Sequence, residues 1–197
     1  MGKITSPQRR PSAQAYRLYG ELEWMRPKVW RPFLVPIAIE LPLLHTTLLL
    51  VPGDKADISM SSSSGGYGRR EPGLALAEVI DEEHGTLNDA LGARKKFVYV
   101  YDYGDNWRHT VKVEKIGTLD APISSGVCIG AENACPPEDI GGGPGYEHFL
   151  AALADPSDPE HDHFKQWIGR SFDLAEFDVA QVNQRLRAHL SVERQER

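Results

Sequence analysis

Residues 96–115 constrain the fold most, because they form two alternating segments on either side of a turn-forming triplet. In the first segment one face would carry Phe97, Tyr99, Tyr101 and Tyr103, and the other Val98 and Val100. In the second segment the apolar face would carry Trp107, His109, Val111 and Val113, opposite Arg108, Thr110, Lys112 and Glu114. The triplet between them, Gly104, Asp105 and Asn106, tolerates positive φ and so favours a tight reversal.

This pattern predicts an antiparallel β-hairpin of strands 96–102 and 107–115, with Trp107 and His109 facing the core. The first strand is apolar on both faces, so it is expected at the centre of the sheet.

The rest of the chain predicts strands first and helices last. Residues 16–24 and 29–36 have strand patterns, and Pro32 should confine the second strand to an edge or a bulge. Residues 41–50 favour a helix with Pro42 in its first turn. Three further helices are expected around 146–153, 164–168 and 179–190, the last capped by Asp178. The predicted class is α+β, an antiparallel sheet with helices packed on one face and a helical C-terminal part.

A single domain is expected over residues 15–190. Residues 1–14 should form a disordered basic segment, 46–72 an atypical mobile loop, most mobile over 53–72, and 191–197 a tail. The net charge of −6 is unevenly distributed: residues 1–31 hold seven Lys or Arg, whereas residues 116–164 hold nine Asp or Glu and neither Lys nor Arg. No apolar run approaches bilayer length, and two cysteines do not make a disulfide framework. A cytoplasmic protein is expected.

Four stretches carry a resemblance to a known family: "YDYGDNWRH" (101–109), "CIGAENACPPEDIGGGPGY" (128–146), "FDLAEFDVAQVNQRL" (172–186) and "YRLYGELEWMRPKVWRPFLVP" (16–36). Together they resemble the plasmid pRiA4b ORF-3-like family over most of residues 16–187. The resemblance implies an α+β fold with an antiparallel sheet and no established activity. Some members are labelled mobile-element passengers or resolvases, a label without mechanistic support.

The chain departs from the family pattern over residues 46–66, which lack the Gly-Trp and His-x-His-x-Phe elements of other members. A compensated pair of reading-frame shifts and ordinary divergence both explain this. A second departure is Ile140, where members often have a third Cys.

The residues of this signature are the candidate binding residues: Tyr101, Asp102, Gly104, Asp105, Trp107, His109, Cys128, Cys135, Pro136, Pro137, Glu138, Asp139, Gly141, Gly142 and Tyr146. Asp102 and Asp105 would suit acid–base chemistry or metal binding, but as turn residues they also cap backbone amides. His109 is interpreted as a hydrogen-bonded core residue rather than a catalytic one.

Two further motifs favour structural interpretations. Cys128, Cys135, His148, His161 and His163 include suitable zinc ligands, but Cys-x6-Cys lies outside the usual ligand spacing, so no metal or cofactor is assigned. "GGGPG" (141–145) precedes a predicted helix but lacks the Gly-Lys-Ser/Thr ending of a phosphate loop, so it is interpreted as a turn.

The sequence therefore favours a non-enzymatic binding or accessory domain, with a protein or small ligand as partner and no membrane. One alternative is a metal-dependent protein or hydrolytic enzyme that uses Asp102, Asp105, His109 and the cysteines. The other is a weak DNA-associated factor that relies on the basic N-terminal segment. It would not be an active resolvase, because no Ser or Tyr lies within an ordered cluster of basic residues.

Overall fold

The computed structural model describes residues 13–51, 85–101 and 104–193, and the side chains of residues 101 and 191–193 lie outside this description. The strands are β1 (Ala13–Leu22), β2 (Trp30–Pro36), β3 (Lys96–Tyr101), β4 (Trp107–Leu119) and β5 (Val127–Cys128). The helices are α1 (Leu41–Leu50), α2 (Leu87–Leu91), α3 (Gly142–Ala154), α4 (His161–Ile168) and α5 (Val179–Glu193). Among these helices none has the length and apolar character needed to cross a bilayer.

The strands form one antiparallel sheet in the order β3-β4-β1-β2-β5. This confirms the predicted α+β class. β1 begins at Ala13, two residues before the expected domain boundary, while residues 1–12 and the segment 53–72 lie outside the described residues.

The predicted hairpin is confirmed. β3 pairs with β4 in a register that places Tyr99 opposite His109 and Tyr101 opposite Trp107. Trp107 is 7% exposed and packs in the core.

The expected central position of β3 is wrong, because β3 is the outermost strand of the described sheet. Tyr99 and Val100, which point to opposite faces, are nevertheless both buried. Apolar side chains on both faces indicate that a strand is covered from above and below. The place of that strand in the sheet depends instead on which strands pair with it on either side.

One face of the sheet, the covered face, carries two apolar clusters. The first cluster joins the sheet to α1 and α5 and includes Leu18, Phe33, Leu44, Val111 and Leu186. The second cluster lies towards the hairpin turn, joins the sheet to α3, and includes Leu22, Met25, Trp107, Tyr146 and Phe149. Leu18 and Leu22 lie on the same face of β1, so α1, α3 and α5 pack on the same side of the sheet, as predicted.

Local signals explain most element boundaries. α1 has the predicted bounds with Pro in its first turn, and Asp178 caps α5 by accepting a hydrogen bond from the Gln181 amide at 3.0 Å. β2 is an inner strand next to the two-residue β5. On the β5 side, the Pro32 carbonyl accepts a hydrogen bond from the Ile129 amide. The nitrogen and carbonyl of a strand residue point to the same side, so the Pro32 nitrogen, which carries no proton, also faces the β5 margin of the sheet. α2, which the periodicity did not predict, has a capping box between Thr86 and Asp89.

Candidate functional site

The two glycine-containing parts of the signature meet in the fold. The amide of Gly141 donates a hydrogen bond to the Asp105 carboxylate at 3.3 Å. A Cβ on Gly142 would lie 2.8 Å from the carbonyl oxygen of Asp105, so the hairpin turn and the start of α3 require a glycine between them. This contact attaches the end of the hairpin to α3.

This geometry supports a structural role for the "GGGPG" stretch. Gly141 and Gly142 have φ of 87° and 69°, and a Cβ on Gly145 would clash with the Ile140 carbonyl oxygen. The Asp105 carboxylate also accepts the hydrogen bond from the Gly141 amide, the donor that a bound anion would need. Glycine is therefore demanded here by backbone conformation and close packing.

The structure describes only Asp105 of the proposed carboxylate pair. Asp102 lies outside the described residues and Tyr101 is described by its backbone alone. Gly104 and Asn106 complete the turn, with φ of 55° at Asn106. Acid–base chemistry from Asp102 and Asp105 stays a prediction.

The two cysteines belong to different clusters. Cys128 is buried in the first cluster, where its thiol donates to the Gly130 carbonyl at 3.2 Å and burial raises its pKa. Cys135 packs against the second cluster, as does Ile140, the position of the missing third Cys. Neither cysteine forms a disulfide, and the Cys135 sulfur accepts a hydrogen bond from the Arg31 guanidinium at 3.6 Å.

The other zinc candidates have separate partners. His148 lies 3.0 Å from the Glu160 carboxylate, His161 is hydrogen-bonded to the Ala152 carbonyl at 2.8 Å, and the ring of His163 contacts Phe164. Within the described ranges, no group of three or more His, Cys, Asp or Glu side chains is placed to hold a metal ion.

The remaining signature residues support the loop between β5 and α3. Pro136 is buried, Pro137 and Glu138 are half-buried, and Asp139 is exposed with a φ of 58°. Tyr146 is fully buried in the second cluster.

Arg31 is a buried residue that the sequence interpretation missed. Its guanidinium donates to the backbone carbonyls of Trp30, Glu132 and Asn133 at 2.7–2.8 Å and lies 3.9 Å from the ring centre of Phe177. It thereby ties β2 to the loop after β5. The signal available in the sequence was its position two residues before Phe33 on β2, which places the two side chains on the same, inward-facing side of the strand.

A second missed group is the polar trio His45, Tyr99 and His109 on the covered face. The Tyr99 hydroxyl lies 3.1 Å from Nδ1 of His45, and its ring centre lies 5.9 Å from that of His109. His45 Nε2 and His109 Nδ1 are buried and make no hydrogen bond to any described residue. The strand positions of Tyr99 and His109 predict that both side chains face the core. His45, however, lies on α1, far away in the sequence, so no local pattern places it beside them.

Burial controls the charge of the trio. Desolvation lowers the pKa of His45, and it lowers the pKa of His109 to about 4. The positive charge of Arg31 acts in the same direction at His109, whereas the backbone of Trp107 and the charge of Glu23 oppose it. Both imidazoles are therefore neutral at neutral pH and can donate or accept hydrogen bonds.

The opposite side of the sheet, the outer face, carries polar side chains and exposed aromatic rings. Trp24 lies at its rim, 68% exposed, with the Arg108 guanidinium 5.8 Å from its ring. Arg108 is paired with Glu23 at 3.2 Å, and Thr110 donates to the same carboxylate at 2.5 Å. These contacts hold the surroundings of an exposed tryptophan in place.

A stacked aromatic pair lies further along the outer face. The ring centres of Tyr19 and Trp30 are 5.4 Å apart, and Trp30 Nε1 donates to the Glu132 carboxylate. Glu21 accepts from both the Tyr19 hydroxyl and Lys28. Burial, followed by the charge of Glu21, raises the pKa of Tyr19 to about 12, so this phenol stays protonated at neutral pH.

A model of the plasmid pRiA4b ORF-3-like proteins matches residues 14–181. The chain belongs to this family. The resemblance carried by the four signature stretches is thus confirmed.

Two other proteins are similar to this chain over most of their length. The uncharacterized protein y4hQ of Sinorhizobium fredii is 35% identical over 182 residues, which cover 87% of this chain and 90% of that protein. The crystal structure of MM3350, a protein of unknown function from Methanosarcina mazei, superposes with a TM-score of 0.76 at 27% identity, covering 86% of this chain and 97% of that chain. The family therefore establishes the architecture and leaves the activity to be inferred from the surface and the core.

Proposed function

We propose that this member of the pRiA4b ORF-3-like family is a non-catalytic binding domain that contacts a partner protein through its outer face. Many residues of the family signature make contacts inside the fold and so are not exposed to a partner, which supports binding through the outer face instead. Asp105 caps Gly141, Trp107 and Tyr146 fill the second cluster, and Cys128 is buried in the first.

Trp24 is the observation that carries the proposal. It is 68% exposed and its φ of 64° lies in the left-handed region, which is costly for a residue with a large side chain. The neighbouring Arg108 is fixed by Glu23. A tryptophan and an arginine presented together at a fixed position are the residue types that contribute most to binding energy at protein interfaces.

Trp167 offers a matched control. It is the other exposed tryptophan of the described chain, at 42%, and it lies on α4 beneath the opposite face of the sheet. Replacing it with Ala removes the same side chain from a different surface.

The test compares tagged wild-type protein, Trp24→Ala and Trp167→Ala recovered from cells of the source organism, with the co-purifying proteins quantified by mass spectrometry. We expect one partner at near-stoichiometric amount with the wild type and Trp167→Ala, and about tenfold less with Trp24→Ala, as for an interface hot spot. Thermal unfolding of all three proteins controls for misfolding. Equal recovery with both variants would contradict the proposal.

The polar trio favours a second candidate function, acid–base or metal-dependent catalysis. Two neutral imidazoles with ring centres 5.6 and 5.9 Å from that of the Tyr99 phenol, and with two buried ring nitrogens unbonded within the described chain, suit proton transfer or metal ligation. Stoichiometric zinc in protein purified without a His tag would favour this candidate.

A cytoplasmic location is part of the proposal, supported by two cysteines that lie in separate clusters and form no disulfide. Association with plasmids or mobile elements is supported only by the name of the family. We propose no resolvase activity, and any DNA binding would be weak and dependent on residues 1–14.

A further inference from the structure

Three lysines lie together on the outer face and form a lysine stripe: Lys96 on β3, with Lys112 and Lys115 on β4. Lys96 is directly opposite Lys112, and Lys112 is opposite Tyr19 on β1. Lys115 is opposite Arg17. All three lysines are exposed.

The charge of the stripe is not neutralised by the surrounding side chains. In the described part of the chain, none of the three lysines makes an ion pair, while Arg17 is paired with Glu114 at 2.6 Å. Like charges directly opposite each other on neighbouring strands destabilise a sheet. The Lys96–Lys112 pair therefore costs folding stability.

Protection of a sheet edge does not account for Lys112, the central member of the stripe. Lysines on an edge strand commonly prevent pairing with another chain, and Lys96 on β3 fits that role. Lys112, however, lies where β4 is paired on both sides, with Lys96 of β3 and Tyr19 of β1, whereas Lys115 lies beyond the end of β3 and is paired with β1 alone.

We propose that the lysine stripe binds an acidic segment of the partner protein. This deepens the proposed function, since the stripe and Trp24 share the outer face. Lys112 is opposite Tyr19, and the chain from Tyr19 to Trp24 spans at most about 18 Å. Both features fit within the footprint of one partner of ordinary interface size.

The surrounding charges favour a protein over a nucleic acid. Glu132, bonded to the neutral Trp30 indole, lies beside the outer face and would repel a continuous phosphate backbone, whereas Glu21 and Glu23 are paired with Lys28 and Arg108. The chain as a whole carries a net charge of −6. A short acidic peptide can place its carboxylates on the stripe alone, whereas a nucleic acid spreads its charge over every neighbouring carboxylate.

The test uses a fluorescein-labelled peptide of alternating Glu and Gly, titrated with full-length protein and followed by anisotropy. Lys112→Glu is compared with Lys165→Glu, which makes the same charge change at an exposed position of α4. Lys112→Glu should keep its stability, because it creates an opposite-charge pair with Lys96.

We expect the peptide to bind wild-type protein with an affinity that falls with added salt. Lys112→Glu should weaken it about tenfold, equivalent to about 1.4 kcal/mol, while Lys165→Glu changes it less than about twofold. Absence of binding, or equal weakening by the two variants, would overturn the proposal. Tighter binding of oligothymidine with the same dependence on Lys112 would instead identify a nucleic-acid surface.

The same variants separate this inference from the proposed function. If Trp24→Ala loses the cellular partner and Lys112→Glu retains it, the outer face binds a protein but the acidic segment is refuted. Loss with both variants, together with peptide binding, supports both.

Discussion

His109 lies on the covered face between the two apolar clusters, opposite Leu22 on β1 and Tyr99 on β3. Its Nδ1 is buried without a hydrogen bond to any residue that the structure describes. Protonation of this ring would place a charge in a poorly solvated region that Arg31 already makes positive. The neutral form is therefore part of the folded state.

This residue should make folding sensitive to acid. Its folded pKa of about 4 lies below the ordinary value of 6.5, so the unfolded chain takes up the proton first as the pH falls. Stability from the neutral ring is fully present above about pH 6.5 and is lost as the pH falls towards 4. The contribution amounts to at most about 3 kcal/mol.

Urea unfolding at pH 7, 5.5 and 4 checks this prediction against a His109→Gln variant, which cannot titrate at that position. The wild type should lose more stability between pH 7 and 4 than the variant. Parallel losses in the two proteins would show that other groups control the acid sensitivity.

At the scale of elements, the hairpin turn and the start of α3 are joined by a backbone contact that leaves no space for a side chain. Gly142 combines a positive φ with close approach to Asp105, whereas Gly169, which caps α4 in the left-handed region with a φ of 65°, has nothing within 4 Å of a Cβ built on it. The two positions allow conformational strain to be separated from steric contact.

We expect Gly169→Ala to destabilise the protein by about 1–2 kcal/mol, the ordinary cost of a left-handed backbone. Gly142→Ala should cost clearly more, because its Cβ must also displace the Asp105 carbonyl. Chemical denaturation of both variants measures the difference. Equal losses would mean that the hairpin turn moves freely away from α3.

The local elements could be predicted from the sequence because their signals are local. Alternation over residues 96–115 and the Asp178 cap each depend on neighbours within a few positions. α2 was missed because its five residues are too few to show a helical period.

The lateral order of the strands and the polar trio could not be predicted in the same way. The edge position of β3 depends on pairing across the sheet, and α1 brings His45 to Tyr99 from 54 positions away. Arg31 likewise finds its carbonyl partners Glu132 and Asn133 more than 100 positions along the chain.

At the scale of the whole molecule, one sheet supports both apolar clusters. β1 contributes Leu18 to the first and Leu22 to the second, and β4 contributes Val111 and Trp107 in the same way. Because the same two strands run through both clusters, we expect them to unfold together.

Trp107→Ala tests this cooperativity from the second cluster. The truncation should cost about 3–5 kcal/mol, a large part of the stability of an ordinary domain. In hydrogen exchange, the opening free energy of the amides of α5, in the first cluster, should fall by the same amount as that of the amides of α3. Trp24→Ala, at an exposed site, should change stability by less than about 0.5 kcal/mol. Loss of protection in α3 alone would indicate two independent folding units.

The contact between the hairpin turn and Gly142 has a consequence for how relatives are compared. Residues that recognise each other inside one chain vary little as long as the architecture is kept, whatever the chain binds. Two proteins that share this contact can therefore have different partners. Grouping relatives by Trp24 and the lysine stripe, rather than by the glycines, should sort them by the molecules they bind.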